Sequence, residues 1–69
     1  MRFDIYGRFQ LEVVHEHGAW VAYRSTDGLR HRETNVSFPS DMREEEIAGF
    51  LDDLFRELAE PGQHVRRIA

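Results

Sequence analysis

The sequence predicts an α+β domain: an antiparallel three-stranded β-meander with one C-terminal α-helix packed on one face. Three observations predict it. Apolar residues occupy the odd positions from Phe3 to Val13, the period of a half-buried strand. Turn signals follow at Gly18 and at Asp27-Gly28. From Ile47 to Leu58 the apolar residues recur at helical spacing. The 69 residues make a single domain, with sheet over about 2–38, helix over about 41–60 and a tail over 61–69.

The first strand reads as long and bent at Gly7. The alternation keeps its phase through that glycine, so Phe3, Ile5, Phe9 and Leu11 stay on one face. A three-residue loop there keeps the same phase, which leaves a split strand open. In "VVHEHGAWVAY" a three-residue loop of Glu16, His17 and Gly18 pairs Val13 with Val21 and Leu11 with Tyr23, and so buries both. A two-residue loop of His17 and Gly18 instead pairs Val13 with Ala22. The first is expected. Asp27-Gly28 then pairs Tyr23 with Arg32 and Arg24 with His31. The third strand, "LRHRETNVSF", is charged along its middle, as suits an exposed edge.

Ile47, Phe50, Leu51, Leu54, Phe55 and Leu58 fall on one side of the helix, with acids on the other. Ser40 or Asp41 is the expected cap, and Pro61 and Gly62 the stop. Truncating Leu54 is expected to be costly. Val65 and Ile68 are expected to add a small strand, to fold on the core rim, or to stay disordered.

With one helix available, one sheet face is expected to stay bare. Under the registers above it carries Val14, Trp20, Ala22, Arg24, Leu29 and His31, a small amphipathic patch and the candidate interface. Tryptophan and arginine are the residues that anchor interfaces.

All nine basic residues are arginine, against 13 acids, for a net charge of −4. Eight of the acids lie between Phe38 and Glu60, so the excess sits on the helix. That sign disfavours non-specific contact with phosphate backbones. There are no cysteines, which removes disulfides and thiolate chemistry and fits a reducing compartment. The alternating "MRFDIYGRF" is not expected to be a signal peptide, and no apolar run is long enough to span a bilayer. The expected setting is cytoplasmic, without membrane contact. His15 and His17 are two apart, but two ligands are not a metal site. Ser25, Ser37 and Ser40 have no histidine or acid in expected reach. No catalytic residue, metal or cofactor is expected, and the chain is read as a non-enzyme.

The segments "RFDIYGRFQLEVV", "GAWVAYR" followed by "DG", and "FLDDLFRELAEPG" ending with "VRRI" resemble, nearly end to end, a family of short bacterial proteins of unknown function. The resemblance implies a small bacterial domain and no activity to carry onto any residue. The expected role is a small protein-interaction module whose partner is an unknown protein or a second copy of itself, meeting the open face around Trp20. The alternative is weak single-stranded nucleic-acid binding through Trp20 and the outer arginines.

Overall fold

Three dipeptides ending in glycine set the path of the chain. In the computed structural model, which describes residues 1–69 (the side chain of Thr26 excepted), Tyr6-Gly7, His17-Gly18 and Asp27-Gly28 each carry positive φ at both residues: 54° and 70°, 51° and 78°, 53° and 79°. Two successive positive φ values are what a type I′ hairpin turn needs. Each pair therefore reverses the chain, giving β1 (Arg2–Ile5), β2 (Phe9–Glu16), β3 (Ala19–Thr26) and β4 (Leu29–Arg32). The first turn closes with the Arg8 N–H donating to the Ile5 carbonyl at 2.9 Å, and Arg8 is left as one extra residue before Ile5 meets Phe9.

The expected three-stranded meander is thus corrected to a five-stranded antiparallel sheet, in the order β4-β3-β2-β1-β5, with β5 spanning Arg66–Arg67. The long first strand is two strands, because Tyr6-Gly7 turns rather than bends. The phase survives, and Phe3, Ile5, Leu11 and Val13 share one buried face. The fifth strand comes from the tail. Gly62, at φ 85°, follows Pro61 in a tight turn closed by the Gln63 N–H on the Glu60 carbonyl at 3.0 Å, the positive-φ geometry of a type II turn. Val65 then drops into the core, and β5 (Arg66–Arg67) pairs with β1.

The β2–β3 register is also corrected. The loop is the two-residue His17-Gly18, so Val13 faces Ala22, Leu11 faces Arg24 and His15 faces Trp20. Trp20, Ala22 and Arg24 therefore lie on the core side, and Val21 and Tyr23 on the reverse. The reason is local: a two-residue turn with positive φ twists with the strands, and that preference outweighs the apolar gain from burying Val21 and Tyr23. The β3–β4 register is as expected, with Tyr23 opposite Arg32 and Arg24 opposite His31. The strand leaves the sheet after Arg32, however, and Val36 reaches the core from a turn instead.

The helix is shorter than the expected 41–60. A 3₁₀ turn over Glu44–Glu46 leads into α1 (Ile47–Leu54), and a second follows over Arg56–Leu58. Neither Ser40 nor Asp41 caps it. The Arg43 N–H donates to Glu46 Oε1 at 2.8 Å, one half of a capping box. Phe55, at φ −102° and ψ 14°, breaks the helix well before Pro61. The break narrows the apolar stripe. Ile47 and Leu51 are fully buried, while Leu54 is 44% exposed. The core, between α1 and one sheet face, is built on Phe3, Ile5, Leu11, Val13, Ala22, Ile47 and Leu51, joined by Tyr6, Val36 and Val65. Among the described residues no helix is long and apolar enough to cross a membrane.

Candidate functional site

Of the six residues expected on the open face, Trp20, Ala22, Arg24, Leu29 and His31 do share a face, but it is the one α1 covers. Val14 is on the other. Ala22 is core. Trp20 packs half-buried against the core, and its indole N–H donates to the Met42 carbonyl at 2.8 Å. Neither is available as a bare contact surface. Arg24, Leu29 and His31 lie beyond the reach of α1 and are exposed.

The bare sheet face carries its own cover. Tyr23 starts opposite Glu12, and its hydroxyl donates to Glu16 at 2.8 Å, so the ring runs past the Val14–Val21 pair. Val21 is only 7% exposed as a result. Arg30 lies over the Tyr23 ring at 3.8 Å and ends on Glu12 at 2.8 Å. These contacts make that face a closed polar roof rather than an apolar patch.

Charge gathers at the end of the sheet that holds the first and third turns. A groove of about 480 Å³ there is lined by Arg2, Arg8 and Arg24 among others. Arg8 Nε donates to the Leu58 carbonyl at 3.0 Å. The Arg24 guanidinium stacks on Phe9 at 4.0 Å, and Phe9 meets the edge of Phe55 at 5.5 Å. Both cations are held in place by uncharged groups, so their charge is not cancelled. Glu12, the acid in the groove, is spent on Arg30. Among the described residues no acid lies within ion-pair distance of Arg2, Arg8, Arg24 or Arg32. Beside this groove, β4 is exposed at every residue and forms a free edge of the sheet. Leu29 at its start is 63% exposed.

A second cluster went unread in the sequence. The Tyr6 hydroxyl donates to the Asp52 carboxylate and contacts the Asp52 carbonyl at 3.0 Å, while His64 Nδ1 lies 3.4 Å from the other carboxylate oxygen. Burial, then the hydrogen bond to Asp52, pushes the Tyr6 hydroxyl up to about 12. The same bond, aided by His64, holds Asp52 below the usual carboxylate range. The cluster ties the first turn, the helix and the tail together. Its shallow groove also contains the Asp4–Arg66 pair, 3.7 Å apart. Chemically it is a clamp. The available signal was Tyr6-Gly7 itself: an X-Gly pair spaced like the other two marks a turn, and a turn places its aromatic over whatever packs beneath.

His15 packs edge-on against Trp20 at 4.7 Å, and His17 sits in its turn. Among the described residues no three of His, Cys, Asp and Glu gather as a metal site would require.

No curated protein matches the chain, and no solved structure matches it either. A family model described as "Domain of unknown function (DUF7661)" matches residues 1–69, and the chain belongs to that family.

Proposed function

We propose that this chain is a non-enzymatic protein-interaction module that holds an acidic partner at the basic end of its sheet. The observation that carries this reading is the set Arg2, Arg8 and Arg24 in one groove, with Arg32 on the adjoining β4 edge, none of them within ion-pair distance of an acid among the described residues. In a chain of net charge −4, grouping unpaired cations costs self-repulsion, and an anionic partner relieves it. Arg8 and Arg24 are already fixed in place, so less side-chain freedom is lost on binding. The setting we propose is a bacterial cytoplasm, on the pattern resemblance noted above and the absence of cysteine.

Trp20 takes no part, since it lies outside this groove and is half-buried against the core. A single-stranded RNA therefore finds arginines here without an open aromatic to stack on. The test is a calorimetric titration of polyglutamate, with single-stranded RNA as the comparison, at low and moderate salt. Binding should weaken as salt rises and should fall roughly tenfold or more in the Arg24→Glu, Arg32→Glu double variant. Charge reversal without effect, or RNA binding tighter than the acidic peptide, overturns the reading.

A further inference from the structure

We propose that the acidic partner is an extended segment that adds to the free edge of β4 as a further antiparallel strand; this rests on the reading just given and specifies its geometry. The Glu33 N–H donates to the Ala22 carbonyl at 2.8 Å, continuing the β3–β4 ladder. Antiparallel hydrogen-bonded pairs alternate, so His31 and Leu29 also turn their backbone groups toward β3. The N–H and C=O groups of Arg30 and Arg32 consequently point outward, with no partner among the described residues. An extended peptide satisfies them in pairs, the mode by which exposed sheet edges capture segments.

The register fixes the chemistry of the occupant. Arg30 and Arg32 project from one face of the sheet, and Leu29 and His31 from the other. Residues directly across an antiparallel pair share a face. The segment therefore carries acids opposite Arg30 and Arg32, alternating with apolar residues that run beside Leu29 and His31. Arg32 makes the stronger charge contact, because Arg30 already leans over Tyr23 to Glu12.

A second copy of β4 is a poor occupant: antiparallel pairing of two such edges sets arginine against arginine, which is destabilising. The opposite edge, β5, is also a poor site. It has two residues, and its arginines are spent on Asp4 and Glu44 at 3.7 and 2.9 Å.

The test uses the full chain and a short peptide alternating glutamate with valine, followed by amide hydrogen exchange. Exchange at Arg30 and Arg32 should slow by roughly tenfold or more when the peptide is saturating. N-methylating the peptide at the alternate positions that face β4 should abolish binding while leaving its charge intact. Arg32→Ala, which keeps the backbone donor, should weaken binding less than N-methylation does. If the N-methylated peptide binds as well as the parent peptide, or if protection appears elsewhere on the chain, strand addition is wrong while the acidic-partner reading stands. If neither this peptide nor polyglutamate binds at low salt, both fail.

Discussion

Leu51 and Leu54 lie one turn-fraction apart on the same helix, and the structure assigns them opposite weights. Leu51 is fully buried between α1 and the sheet, whereas Leu54 is 44% exposed. Cutting leucine to alanine removes three carbons, worth about 0.8 kcal/mol each when buried. For Leu51 that is about 2.4 kcal/mol, and the cavity left under the helix raises it to about 3–4 kcal/mol. For Leu54 about half the transfer energy applies and the gap opens to water, so the loss is about 1 kcal/mol. A domain of this size holds roughly 3–10 kcal/mol in total. Leu51→Ala thus removes a large share of the stability, and Leu54→Ala a minor one. Urea unfolding followed by tryptophan fluorescence reads the difference, because Trp20 packs against the same core. With an m-value of about 1 kcal/mol/M, the midpoint should move by about 3 M for Leu51→Ala and about 1 M for Leu54→Ala. A parent midpoint below that shift leaves the Leu51 variant unfolded in buffer, which is the same result in stronger form. Equal shifts, or a larger one for Leu54, refute the packing described here.

Two further variants test the fold. In Tyr6→Phe, the alkaline unfolding limb should flatten. Tyr6 titrates near 12 in the folded chain, above its ordinary value of about 10, so its contribution is complete below pH ~10 and is lost as pH rises toward 12. A smaller limb should remain from Tyr23, which its bond to Glu16 also raises. The acid limb should shrink too: depressed Asp52 stabilises above its unfolded value of about 3.9 and loses that effect as pH falls below it, and the Tyr6 bond is the largest cause of the depression. Unchanged pH profiles by circular dichroism would show the clamp to be idle. His17→Asn should raise the urea midpoint, by about 0.5 kcal/mol of stability. Asn-Gly is among the pairs a type I′ turn favours most, and His17 holds the first position of that turn at φ 51°. A lower midpoint would mean that the His17 side chain makes a contact the turn depends on.

The parts of the fold that were legible in the sequence are those set by burial period. The odd-numbered stripe of Phe3, Ile5, Leu11 and Val13, and the Ile47–Leu51 pair on the helix, were readable because a wrong phase would expose several large side chains at once. Helix length was not legible. Six apolar residues at helical spacing look like one continuous stripe, yet the α-helix ends at Leu54 and Phe55, just past it, sets its ring edge-on to Phe9. The tail strand was legible only as one option among three, since two residues of pairing carry almost no pattern.

The candidate site was misread for a reason that also explains how it exists. Choosing between loops of two and three residues at Gly18 decides which side of the sheet β3 shows to the helix. Apolar counting favours burying Val21 and Tyr23; turn geometry favours His17-Gly18, and geometry prevails. The consequence runs the length of β3 and into β4. Trp20 goes inward and finds the Met42 carbonyl. Tyr23 goes outward, reaches Glu16, and gives Arg30 a ring to lie on. Arg24 is carried to the helix side, where Phe9 and Phe55 receive it at the rim instead of the core. Arg32 is left at the edge, with no acid within ion-pair distance among the described residues. The same two-residue turn that removes the expected tryptophan patch therefore assembles the basic end, and lengthening it by one residue should move the tryptophan and the unpaired arginines together.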